Sequence, residues 1–83
     1  MGKVLVNIYI PVINAEYDVL IPIQSQIFEV TELIIKAIYE LSEKRFIPTE
    51  DTVLSYRENG EIIDTNSTVY DLGISNGVKL MLI

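Results

Sequence analysis

The sequence predicts one α+β domain in which a single helix packs against a mixed β-sheet, with elements in the order ββαββ, a loop and a final strand. Between Ile27 and Lys44, apolar residues recur at spacings of three and four, which is typical of an amphipathic helix. No other segment has this period, and alternating apolar and polar residues flank it, as in strands. The length of 83 residues suits a single domain spanning residues 1–83.

The first two predicted strands form an antiparallel hairpin. Residues from Lys3 to Ile10 alternate, and Glu16 to Ile21 resume the alternation. Proline and asparagine interrupt the pattern between Pro11 and Ala15. Two alternating runs joined by so short a turn predict a hairpin.

The helix is predicted over Ile27–Lys44. Pro22 closes the preceding strand, and two residues compete for the N-cap. Gln26 would place Glu29 at the third helical position, whereas Ser25 is the better cap residue but lacks that partner. Both alternatives stay open at this point. The predicted core face consists of Ile27, Val30, Ile34, Ile38 and Leu41.

The second half of the chain is predicted to return to the sheet. Pro48 prevents the helix from continuing, so residues 45–51 form a crossover. Thr52 to Arg57 is the third strand, with Ser55 pointing outward. The dipeptide Asn59-Gly60 predicts a tight turn into a short fourth strand, residues 61–63.

A loop over residues 64–73 and a turn at Asn76-Gly77 lead to the last predicted strand, residues 78–83. The first and last strands are both apolar, as expected of central strands that lie side by side in parallel. This arrangement is the β-grasp layout.

Composition argues against several classes of function. The net charge of −6 repels phosphate backbones and anionic headgroups, so we expect no nucleic-acid partner. The chain has no cysteine and no histidine, which removes thiolate chemistry, the commonest general base and the commonest metal ligands. We therefore expect no enzymatic activity, no cofactor and no metal. Five acids around the third strand are expected to form a solvated surface: Glu50, Asp51, Glu58, Glu61 and Asp64.

No apolar run approaches the roughly 20 residues that a membrane span requires. The N-terminal stretch does not have the residue pattern of a signal-peptide cleavage site. These features predict a cytoplasmic protein without direct membrane insertion.

Over nearly its whole length the sequence resembles ubiquitin-like domains. The resemblance rests on Ile47-Pro48 after the helix, on the segment GEIID and on the run TVYDLGISNGVKLMLI. Within that superfamily the chain is most similar to the YukD/EsaB family, small bacterial proteins associated with type VII (WXG100) secretion systems. The resemblance implies a non-catalytic adaptor that acts by protein–protein interaction. Its implied partners are secretion membrane components, which would recruit it to the inner face of the membrane.

Two departures from ubiquitin bear on function. The sequence ends at Ile83 without the Gly-Gly through which ubiquitin and sulfur carriers react, so we expect no conjugation. A ubiquitin-like modifier or sulfur-carrier protein is the alternative. Ser55 also stands where ubiquitin has the central apolar residue of its receptor-binding patch, so ordinary ubiquitin receptors are not expected to bind.

The outer face of the sheet is the first candidate site. Its apolar residues are unusual on a monomer without a partner, and methionine and tyrosine are enriched at interfaces. The alternative is that these residues are scattered singly or that the alternation is shifted by one residue. The predicted protein-binding residues are Leu5, Tyr9, Leu20, Met81 and Ile83.

A flank of the helix is the second candidate. Phe28, Ile35 and Tyr39 widen the apolar arc beyond what one sheet usually covers. The favoured interpretation is that the crossover and the loop over residues 64–73 cover them. The alternative is a homodimer formed through this flank.

Overall fold

The computed structural model describes residues 2–83 and gives a mixed four-stranded sheet with one helix. The strand order is β2-β1-β4-β3, with β1 and β4 parallel and the other pairs antiparallel. The predicted α+β fold and the parallel central strands are confirmed. The elements are β1 (Lys3–Ile10), a 3-10 turn (Pro11–Ile13), β2 (Ala15–Pro22), α1 (Ile27–Leu41), β3 (Leu54–Tyr56) and β4 (Lys79–Leu82).

The predicted short strand at residues 61–63 is wrong. Only one isolated bridge forms there, between Ser55 and Ile62. The Ile63 N–H donates to the Leu54 carbonyl at 3.1 Å, and the Ile63 side chain is buried. Pairing then stops because Asp64 begins a turn, with its carboxylate accepting hydrogen bonds from the Asn66 N–H and the Ser67 hydroxyl.

Gln26 is the N-cap of α1, which decides the alternative that the sequence left open. Its N–H donates to Glu29 Oε1 at 3.2 Å. The next two amides find partners in the distant loop, since the Ile27 N–H donates to the Ser67 carbonyl and the Phe28 N–H to the Thr65 carbonyl. Donors that the start of a helix leaves unpaired are thus satisfied by tertiary contacts.

The helix ends at Leu41, three residues before the predicted Lys44. Glu43 and Lys44 both have left-handed backbone conformations, with φ of 55° and 66°. This turn brings Phe46 into the core at 4% exposure, whereas Leu41 is 52% exposed. The assignment of Leu41 to the core was therefore wrong, because the chain folds back and a different residue fills that end of the core.

The core lies between α1 and the inner face of the sheet. Its central members come from β1, α1 and β4, and the loop over residues 64–78 adds two more. The buried apolar residues are Val6, Ile8, Ile10, Ile21, Ile27, Val30, Ile34, Ile38, Phe46, Leu54, Ile63, Val69, Ile74, Leu80 and Leu82.

Candidate functional site

The outer face of the sheet, away from α1, carries the first predicted site. The pairing register arranges its residues in rows across the strands. Leu5 lies opposite Leu20 at one end of the face. Tyr9 lies opposite Met81, which in turn lies opposite Ser55, nearer the other end. The five predicted residues therefore form two groups rather than one patch.

We call the larger group the Met81 patch: Tyr9, Val53, Ile62, Met81 and Ile83. Ile83 and Val53 exchange backbone hydrogen bonds of 3.0 and 2.8 Å, which extend the β3–β4 ladder by one pair. Ile62 joins the patch through its bridge to Ser55 and is 62% exposed. Val53 is two residues from Ser55 and shares its outward face by alternation, but Ile62 could be placed only once its bridge was known.

A polar row separates the Met81 patch from Leu5 and Leu20. Asn7 lies opposite Asp18 on one side and Lys79 on the other. The Asn7 side-chain amide donates to Glu16 Oε1 at 3.0 Å and to Asp18 Oδ1 at 3.2 Å. Alternation along a single strand gives only the face on which a residue lies, so it could not show that Asn7 separates Leu5 from Tyr9 and Met81.

Arg57 extends across the sheet over the Met81 patch. Its guanidinium carbon lies 4.4 Å from the centroid of the Tyr9 ring, within the range of a cation–π interaction. Its Nη1 is 3.6 Å from Glu16 Oε1 and 3.4 Å from Asn7 Oδ1. The Tyr9 hydroxyl donates to Asn14 Oδ1 at 3.1 Å. Tyr9 is thus held in place and partly covered.

Ser55 points outward in register, as predicted, yet it is fully buried. It lies between Met81 and Ile62, whose longer side chains flank it. Its hydroxyl is 3.5 Å from the Met81 carbonyl, a long hydrogen bond. The patch therefore has a small residue at its centre and apolar side chains on both sides of it.

The helix flank of the second predicted site borders an open groove of about 530 Å³. Ile35 and Tyr39 line this groove together with Pro48 of the crossover. Both are half-buried, whereas Phe28 is exposed and is not among the lining residues. Coverage of this flank by the crossover and the loop over residues 64–73 stays the favoured prediction, and a homodimer through the flank stays its alternative.

The acidic residues near β3 do not converge. Among residues 2–83, no group of three or more Asp and Glu side chains is arranged to hold a metal ion. Asp64 has its pKa lowered below the ordinary 3.8, chiefly by the hydrogen bond from the Asn66 backbone and then by the Ser67 hydroxyl. That shift in the pKa of Asp64 follows from a local turn.

Among residues 2–83, no helix has both the length and the apolar character to cross a membrane.

Comparison with solved structures defines the class of fold. Over its whole length the chain is similar to the EccD5 ubiquitin-like domain from Mycobacterium xenopi, with a TM-score of 0.81, 17% identity and 94% of that domain covered. The ubiquitin-like domain of the Mycobacterium tuberculosis type VII secretion protein EccD1 gives a TM-score of 0.80 at 14% identity, covering 100% of this chain and 99% of that one. The chain has the ubiquitin-like β-grasp fold.

A chain of the MycP5-free ESX-5 inner membrane complex is also similar, with a TM-score of 0.81 and 16% identity. The match covers 100% of this chain but 21% of that one, so the likeness is to one domain of a longer protein. A chain of a toluene 4-monooxygenase complex and an archaeal ubiquitin match as well. No protein-family model matches the sequence. No curated protein matches it either.

Proposed function

We propose that this protein is a non-catalytic ubiquitin-like adaptor of a bacterial type VII secretion system, of the YukD/EsaB kind. The observation that carries the proposal is the agreement of the whole fold with ubiquitin-like domains of EccD proteins. A chain of the MycP5-free ESX-5 inner membrane complex is also similar over the whole length of this one. A protein of this kind acts at the inner face of the membrane, held there by a protein partner.

The Met81 patch is the proposed docking surface for that partner. Tyr9, Val53, Ile62, Met81 and Ile83 lie on neighbouring rows of one face, and contiguous apolar surface rimmed by polar residues is typical of protein interfaces. The polar row and Arg57 supply such a rim on one side. Leu5 and Leu20 form a separate apolar pair beyond it.

The test is affinity capture from cytoplasm and detergent-solubilised membranes of the native host. The baits are the wild type and the double variant Met81→Glu/Ile83→Glu. The matched control is Leu33→Glu/Leu41→Glu, which places the same charge on two exposed apolar residues of α1, on the opposite side of the sheet. We expect secretion-system membrane proteins with the wild type and the control, but not with the patch variant.

Met81 is only half exposed, so a glutamate there can disturb the fold. The circular dichroism spectra of all three baits must therefore agree before their partners are compared. Equal recovery of secretion proteins by all baits would place the interface elsewhere and leave the adaptor role intact. Recovery of no secretion component by the wild type would contradict the adaptor role itself.

We also propose that the protein binds its partners without being joined to them covalently. The support comes from the EccD likenesses, which are to ubiquitin-like domains of secretion-system proteins. The modifier alternative predicts a bond between the protein's C-terminal carboxylate and an amine or sulfur atom. Intact-mass measurement of the protein from its host tests this, and an adduct mapped to the C-terminus would favour the modifier.

A further inference from the structure

Strand β2 forms one edge of the sheet and is paired only with β1. The opposite edge, β3, is partly covered because Ile62 bridges to Ser55. No residue in the range 2–83 makes a backbone hydrogen bond to β2 on its open side. An edge strand of eight residues with free donors and acceptors is a template for another strand.

The direction of each backbone group on β2 follows from the register. On the β4 side of β1, the Asn7 N–H donates to Val78 and the Leu5 carbonyl accepts from Gly77. Backbone groups of successive strand residues point alternately to the two neighbouring strands. The even-numbered residues of β1 therefore direct their backbone groups to β2.

Val6 and Ile8 pair with Val19 and Tyr17. These odd-numbered residues of β2 are consequently the ones hydrogen-bonded to β1. Glu16, Asp18 and Leu20 direct their N–H and C=O groups away from the sheet. Pro22 has no N–H to offer, so the free edge ends there.

Glu16, Asp18 and Leu20 also determine which kind of strand can pair with the free edge of β2. Their side chains are exposed and lie on the outer face. Residues directly opposite on neighbouring strands share a face, where opposite charges stabilise the pair and like charges destabilise it. Asp18 and Glu16 therefore favour basic residues opposite them, and Leu20 favours an apolar one. The net charge of −6 adds a general attraction for a basic partner.

We propose that the free edge of β2 binds an extended basic segment of a partner protein as an added antiparallel strand. Read from its N-terminus, that segment has an apolar residue opposite Leu20, then basic residues two and four positions later, opposite Asp18 and Glu16. A second copy of this chain fits poorly. An antiparallel β2–β2 pair centred on Asp18 would place two carboxylates directly opposite each other.

Strand addition at β2 does not depend on the secretion role, and the purified protein is sufficient to test it. The probe is a synthetic peptide with the core Leu-Thr-Lys-Thr-Lys, extended with threonine to the length of β2. The readout is amide hydrogen exchange by NMR. Without peptide, the amides of Glu16, Asp18 and Leu20 are expected to exchange fast, and those of Tyr17 and Val19 slowly. With peptide, the first three should become protected.

Two variants separate the contribution of side-chain charge to peptide binding from that of the backbone hydrogen bonds. Asp18→Lys should weaken peptide binding by about tenfold, because an attractive cross-strand pair becomes a repulsive one. The matched control, Asp51→Lys, makes the same charge change on an exposed residue of the crossover and should leave binding unchanged. A peptide with glutamates in place of its lysines should not bind.

Three outcomes would overturn the proposal. In the first, the lysine peptide fails to protect the amides of Glu16, Asp18 and Leu20. In the second, the glutamate peptide protects them equally well, which would remove the role of charge. In the third, these amides are already protected without peptide in a sample that sediments as a dimer, so that a second copy occupies the edge.

Discussion

The guanidinium of Arg57 lies over the ring of Tyr9 at 4.4 Å, joining the end of β3 to β1 across the intervening strand β4. The two residues are 48 positions apart in the sequence. This contact, together with Glu16 and Asn7, closes one side of the Met81 patch.

Removing the guanidinium should loosen Tyr9. We expect Arg57→Ala to lower the free energy of unfolding by about 1 kcal/mol, since it removes a partly exposed cation–π contact and a weak ion pair. Arg45→Ala, at an exposed arginine, is the control and should change the free energy little. Urea unfolding measures both, and equal effects would show that the contact over Tyr9 does not stabilise the fold.

Phe46 should matter to stability far more than Leu41. Phe46→Ala empties a buried site and should cost about 3 kcal/mol or more, whereas Leu41→Ala removes an exposed side chain and should cost well under about 1 kcal/mol. Urea unfolding of the two variants tests the prediction. The reverse order would mean that the helix continues past Leu41.

Ser55 has no room for a larger side chain. Ser55→Leu would place a larger apolar side chain on β3, but the site is fully buried between Met81 and Ile62. We expect a loss of about 1–3 kcal/mol from overpacking. Ser55→Ala is the control and should be nearly neutral, because the hydroxyl makes only a long hydrogen bond of 3.5 Å. A stable Ser55→Leu variant would contradict the burial.

The backbone at Lys44 favours glycine. With φ of 66°, Lys44 is in the left-handed region, which a β-branched side chain adopts poorly. Lys44→Val should therefore destabilise the protein by about 1–2 kcal/mol, and Lys44→Gly should be neutral or stabilising. Thermal melting of the two variants checks the order. Equal melting temperatures would argue against the left-handed turn.

Asp64 should make the free energy of unfolding depend on pH in the acidic range. Its pKa is lower in the folded state than in the unfolded chain, chiefly through the Asn66 backbone and then the Ser67 hydroxyl. The carboxylate therefore contributes stability above its unfolded pKa, and that contribution disappears as the pH falls through the folded pKa. The wild type should be more stable than Asp64→Asn at neutral pH, and the difference should vanish in strong acid. A difference independent of pH would contradict this.

The sequence by itself determined the order of the helix and the four observed strands, and the two faces of β1. In β1 a buried apolar residue recurs at every second position from Val6 to Ile10, and a one-residue shift would bury Asn7, so only one register is stable. The helical period from Ile27 to Ile38 likewise has one apolar face. These features depend on neighbouring residues in the chain, which is why the α+β fold could be predicted.

Tertiary structure decided where distant segments meet. The sequence did not show that Phe46 would fill the place predicted for Leu41, since this depends on a left-handed turn formed by residues other than glycine. Nor did it show that Arg57 would cover Tyr9 or that Ile62 would flank Ser55. Strand alternation gives the face on which each residue lies, but only the pairing of strands decides which residues on that face are neighbours.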